Sequence, residues 1–138
     1  MVRSAVNGDM CVDDAGSGTV NGTAIQLYGC HGGPSQQLSL GNDGTLRVLG
    51  GCVAPVNSGT GNGTPLEYRT CDGTAAQTWV PFANNVLYHP ASGRCLDLPE
   101  WKAVEGARLD LWDCSYEANE QWSVPMLRTA VPPAPPRS

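Results

Sequence analysis

Six cysteines, two histidines and a small set of carboxylates are the residues with chemistry to offer in this 138-residue chain. Thiols ligate zinc, attack as nucleophiles or oxidise to disulfides. No C-x-x-C pair occurs, and His31 and His89 complete no usual ligand set, so spacing argues against a metal site. An even number of regularly spaced cysteines in a short chain instead favours disulfides, an oxidising compartment and secretion. No Ser/His/Asp set and no nucleotide loop is present, and the expectation is a protein without catalytic residues or cofactor. A net charge of −5 opposes nucleic-acid binding, which relies on clustered Lys and Arg. No apolar stretch is long enough to cross a bilayer or form a signal-peptide core, so no membrane insertion is expected.

The elements that must position these groups are visible in the cysteine spacing. Cys11 and Cys30 stand 19 positions apart, as do Cys52 and Cys71, and Cys95 and Cys114. Eight positions before each second cysteine lie Gly22, Gly63 and Gly106; five before it lie Ile25, Leu66 and Leu109. Six after it stand Gln36, Gln77 and Glu120, and eight after it Leu38, Trp79 and Trp122. The chain is therefore three repeats, about 1–41, 42–83 and 84–127, within a single domain of 1–127. Six cysteines permit fifteen connectivities, but repeats that fold alike should pair alike. The expected bridges are Cys11–Cys30, Cys52–Cys71 and Cys95–Cys114, each closing a loop of about 20 residues, for which chain entropy gives roughly 3 kcal/mol.

Within a unit, Ala24 to Tyr28 and Arg108 to Trp112 alternate apolar and polar residues as half-buried strands do. Asn21-Gly22, Asn62-Gly63 and Glu105-Gly106 precede those segments as turns. Short strands, Gly-rich turns and no helical run predict an all-β barrel with threefold repetition. No unit can bury its apolar face alone, so the three must fold together.

Cys11-Val12-Asp13 with Gln26-Leu27-Tyr28-Gly29-Cys30, Cys95-Leu96-Asp97 with Asp110-Leu111-Trp112-Asp113-Cys114, and Gln77-Thr78-Trp79 together resemble the ricin-B-type lectins, with their three Q-x-W repeats. The resemblance covers about residues 1 to 127. It implies a β-trefoil of twelve short strands, six forming a barrel and six forming three hairpins that cap it. It also implies up to three shallow sugar pockets, often in modules attached to secreted glycoside hydrolases. Leu38 in place of Trp and Glu120 in place of Gln depart from the pattern. The large apolar residue of Q-x-W is expected to fill the barrel core, a task Leu38 keeps with less volume.

A sugar offers hydroxyls on its edge and C–H groups on one face, so its site needs a carboxylate acceptor beside an exposed aromatic plate. The family places these groups at the Asp two after the first cysteine, a polar residue four before the second, an aromatic two before it, and an Asn ahead of Q-x-W. The third unit supplies Asp97, Asp110, Trp112 and Asn119, with Glu120 next in line, and Trp101 is a candidate second plate. The first unit supplies Asp13, Gln26, Tyr28 and Ser35, followed by Gln36, and is expected to bind more weakly. The middle unit has Ala54, Glu67, Arg69 and Ala76, and alternation turns Tyr68 to the opposite face; no sugar binding is expected there. Tyr116 and His31 are lesser candidates beside the third and first pockets.

The resemblance implies non-catalytic binding of a galactose-, arabinose- or xylose-containing glycan by a secreted monomer. The rival is a protein-binding or inhibitory β-trefoil without sugar affinity, since a fold does not fix a function. Residues 128–138, rich in Pro, read as a stiff linker or tail toward a catalytic domain.

Overall fold

A computed structural model describes residues 1–124; the Pro-rich stretch expected as a linker, 128–138, lies outside the described residues. Twelve strands run β1 (Arg3–Ser4), β2 (Met10–Asp14), β3 (Ile25–Gly29), β4 (Ser39–Leu40), β5 (Leu46–Val48), β6 (Gly51–Pro55), β7 (Leu66–Arg69), β8 (Val80–Phe82), β9 (Val86–His89), β10 (Arg94–Asp97), β11 (Asp110–Trp112) and β12 (Trp122–Ser123). They form three four-stranded antiparallel sheets, ordered β12-β1-β2-β3, β4-β5-β6-β7 and β8-β9-β10-β11. Each sheet borrows its first strand from the end of the preceding repeat, and β12 on β1 closes the ring. This is the all-β, β-trefoil architecture, and it leaves no repeat able to close by itself.

The repeated residues recur because each has a task performed three times. Gly22 N–H donates to Tyr68 O, Gly63 N–H to Leu111 O and Gly106 N–H to Leu27 O, at 2.9, 2.7 and 2.8 Å. Their φ values of 100°, 86° and 88° lie where a Cβ is strained, which explains glycine at this one position in all three units. The residue before each glycine reaches the same neighbour: Asn21 Oδ1 accepts from Thr70 N–H, Asn62 Oδ1 from Asp113 N–H and Glu105 Oε2 from Gly29 N–H. The Asn-Gly pairs expected only as turns are therefore also clasps from one repeat to the next.

The core follows from alternation. Ile25, Leu27, Leu66, Leu109 and Leu111 are fully buried, as are Val12, Val53 and Leu96 on the paired strands. Trp79 and Trp122 fill the barrel and donate Nε1–H to Val53 O and Leu96 O, each at 3.1 Å; Leu38 is buried in the corresponding place. Disulfides join Cys11–Cys30, Cys52–Cys71 and Cys95–Cys114, with Cα–Cα distances of 5.1, 5.2 and 5.1 Å. The ordered strands depart slightly from the alternating segments: in the first repeat the strand is shifted by one residue, to Ile25–Gly29, and in the third it is shorter, beginning at Asp110.

Candidate carbohydrate site

The second and third strands of each repeat form a hairpin that presents one side chain from the first and two from the second to a common outer face. In the third repeat the register sets Asp97 opposite Asp110 and Cys95 opposite Trp112. Leu111 between them turns inward, so Asp110 and Trp112 share the outer face. A 3-10 turn at Ala118–Glu120 brings Asn119 over the hairpin, where Nδ2 donates to Asp97 Oδ1 at 2.9 Å. Another at Pro99–Trp101 packs against it, Leu98 N–H donating to Asn119 O at 2.9 Å, and adds Pro99, Glu100 and Trp101 to the rim. The resulting cleft of about 450 Å³ is lined by Asp97, Pro99, Glu100, Trp101, Asp110, Trp112 and Asn119. Trp101 and Trp112 are half exposed, at 48% and 47%, while Asp97 and Asp110 are sunk to 3% and 8%. That is a hydrogen-bonding floor with two exposed indoles in its lining. Pro99 and Glu100 were not among the expected residues; their adjacency to Trp101 was the one sequence signal for them.

The floor is electrostatically tense. Burial pushes the Asp97 carboxyl up to about 8, reinforced by Asp110 across the hairpin, and Asp110 is raised as well, chiefly by burial. Glu120, expected among the sugar-contacting residues, is instead completely buried beneath the cleft. It braces the chain reversal after Cys114 by accepting Ser115 N–H at 2.7 Å through Oε1, while Oε2 has no partner. Burial, with Asp97 nearby, raises its carboxyl to about 8.

Gln36 is corrected in the same way: it is fully buried, accepts from His31 and Gly32 N–H, and donates Nε2–H to Gly29 O. The neighbouring residues of the first repeat do converge. Asp13 faces Gln26 across the hairpin, accepting from Gln26 Nε2 at 2.9 Å and from Ser35 Oγ at 2.6 Å. Tyr28 is 39% exposed beside them. His31 also stands here, Nε2 3.8 Å from Asp13 Oδ1 and its ring edge-on to Tyr28. Both Asp13 oxygens are thus engaged within the protein. In the middle repeat Ala54 stands where the others hold an acid and Arg69 where they hold an aromatic; Ala54 faces Glu67, whose Oε2 pairs with Arg69 Nε at 2.8 Å. Tyr68 turns into the core and donates its hydroxyl to Leu49 O at 2.9 Å. Tyr116 is exposed but outside the lining of the third cleft.

Among the described residues the group with metal-like ligand proximity is Cys95, Cys114 and Glu120; both thiols are spent in a disulfide, so it has no thiolate to offer an ion.

A closed three-repeat barrel carrying acid-and-aromatic hairpin pockets defines a β-trefoil binding protein. The chain matches the ricin-type β-trefoil lectin domain over residues 1–124 and belongs to that family of carbohydrate-binding modules. It is 36% identical over 112 residues to "Serine protease 1" of Rarobacter faecitabidus, covering 81% of this chain and 21% of that protein. It is 30% identical over 115 residues to the ribosome-inactivating protein SNAIf of Sambucus nigra, covering 83% and 19%. The chain thus spans about a fifth of the length of these relatives. Among solved structures, the agglutinin from Abrus precatorius superposes with a TM-score of 0.79 at 23% identity, covering 88% of this chain and 46% of that one. The designed threefold-symmetric protein ThreeFoil gives 0.77 at 23%, covering 88% and 93%.

Proposed function

We propose that this domain binds glycans without catalysis, through the cleft of the third repeat, with the first-repeat pocket as a weaker second site and the middle repeat inert. The observation that carries the reading is the convergence of Asp97, Asp110, Asn119 and Trp112 in one open cleft. The buried carboxyls at the floor hydrogen-bond the sugar hydroxyls while the indole covers a C–H face. The solved relative from Momordica charantia, in complex with α-methyl-D-galactoside, supports a galactose-type ligand as the first to try. Single-site dissociation constants are of order 0.1 to 1 mM, and two sites on one rigid barrel tighten binding to a polymer.

The domain acts as a secreted targeting module joined to a catalytic domain, with 128–138 as the linker. Three disulfides and the greater length of the relatives support this. A glycan and polysaccharide screen followed by calorimetry tests the reading. Binding of a saccharide that Asp97→Ala and Trp112→Ala each abolish is the expected result. No response to any saccharide, alongside a tight protein partner, overturns it.

A further inference from the structure

The third cleft is an unusual floor for a neutral sugar. Each sugar hydroxyl both donates and accepts, and the first pocket answers with the Gln26 amide and the Ser35 hydroxyl around a single acid. The third cleft offers three carboxyls, on Asp97, Asp110 and Glu100, and no cation. The side-chain amide lining it, Asn119, already spends a proton on Asp97. Asp110 is more than nine-tenths buried, lines the cleft, faces a second acid, and has an Oδ1 with no partner. Opposed buried acids of this kind call for a proton or a cation between them. The walls suit a cation as well, since indole faces attract one.

The acidic, aromatic wall is peculiar to this repeat. Glu100 and Trp101 sit at φ 56° and 59°, and the corresponding left-handed positions hold Gly16-Ser17 and Asn57-Ser58. Bulky side chains have thus been placed on backbone that favours small ones, facing the cleft.

We propose that this cleft selects glycans with a free, protonated amine: amino-sugar units such as de-N-acetylated glucosamine or galactosamine, the ammonium held at Asp97 and Asp110 and the ring against Trp112. This rests on the sugar-binding reading and names its substrate class. An ammonium has three donors and no acceptor, which is the complement of a floor made of acceptors. Trp101 then covers an adjoining sugar of the chain. N-acetylation removes the charge and turns the donor group into an amide.

Calorimetry near neutral pH, where the amine keeps its proton and the ammonium can displace the proton that burial otherwise keeps on Asp97, with a glucosamine tetramer, its fully N-acetylated form, a galactose-containing oligosaccharide and trilysine tests this. The glucosamine tetramer is expected to bind about tenfold more tightly than its acetylated form, and added salt is expected to shrink that advantage. Asp110→Gln, which installs the residue the first repeat carries at this position, is expected to bring the ratio close to one. Neutral saccharides binding with no preference for the amine overturn this inference and leave the proposed function standing; no saccharide binding at all removes both. Trilysine binding as tightly as the tetramer overturns the glycan assignment. An unchanged ratio in a folded Asp110→Gln protein also overturns it, and if that variant does not melt cooperatively, the acetylation ratio of the unaltered protein decides.

Discussion

The middle and third repeats carry the same disulfide, the same clasping glycine and the same buried tryptophan hydrogen-bonded to a strand carbonyl. They differ around the pocket. Where the third has Asp97 opposite Asp110 with Trp112 exposed, the middle has Ala54 opposite Glu67, and Arg69 closes the space as an ion pair. Residues that face another repeat are held by threefold packing; residues that face solvent are free to diverge. A pocket can therefore be lost without disturbing the barrel that carries it.

The largest effect expected from breaking this contrast is on binding. Asp97→Ala or Trp112→Ala should each cost about 2 to 4 kcal/mol of glycan affinity, enough to abolish a signal that starts near millimolar. Arg69→Ala in the middle repeat should change it by less than about 0.5 kcal/mol. Isothermal titration of the three variants against one saccharide reads both halves of the comparison.

Next in size is a stability effect beneath the pocket. Gln77 in the middle repeat accepts Asp72 N–H and donates to Thr70 O, whereas Glu120 accepts Ser115 N–H and leaves Oε2 unpaired. Its carboxyl titrates at about 8 in the fold against 4.5 in the free chain, so the folded state holds an extra proton between those values. Its contribution is complete below pH 4.5 and is lost as pH rises through about 8. Glu120→Gln should thus leave stability unchanged at pH 4 and raise it by about 1 to 3 kcal/mol at pH 9. Asp97 has the same sign, so thermal melts should show a shallower pH slope in the variant and not a flat one.

Smaller again is a conflict confined to the first repeat. Asp14 occupies a position held by Pro55 and Leu98 in the other repeats, is fully buried, and has no partner for either oxygen. Burial, then the neighbouring Asp13, raises its carboxyl to about 6. Asp14→Leu should stabilise the protein by about 1 to 2 kcal/mol at pH 7, with the gain shrinking below the free-chain value of 3.8, where the acid is neutral in both states and only its unpaired burial still counts against it. Urea titration at the two pH values measures it.

These cases mark what was legible in the sequence. Cys, Gly and the Ile/Leu positions were readable because each performs one symmetric task three times, and repetition makes spacing visible. The four pocket positions of the third repeat were readable through the resemblance, and alternation correctly sent Tyr68 inward. Features that occur once were not readable. Arg94 holds Asn62 Oδ1 and Thr60 O across a repeat boundary, each at 2.6 Å, and nothing in the local pattern announces it. The burial of Gln36 and Glu120 beneath their pockets depends on a reversal of chain that spacing alone does not show. Nor does the 3.8 Å approach of His31 to Asp13 follow from its place after a cysteine.

The first repeat offers the finest test, because it stands between the other two. Ser35 sits where Asn119 sits in the third, and its hydroxyl donates to Asp13 Oδ1 as Asn119 Nδ2 donates to Asp97 Oδ1. A hydroxyl does this but extends less far; an amide does it and retains a carbonyl and a second N–H for ligand. Ser35→Asn should therefore improve first-site affinity by about 0.5 to 1 kcal/mol, a gain of roughly two- to fivefold. Measured in an Asp97→Ala background, it isolates the first pocket from the third. A gain there means that the loss of one amide weakened an otherwise complete site; no gain means that Asp13, already engaged by Gln26, Ser35 and the approach of His31, has no acceptor left to offer a sugar.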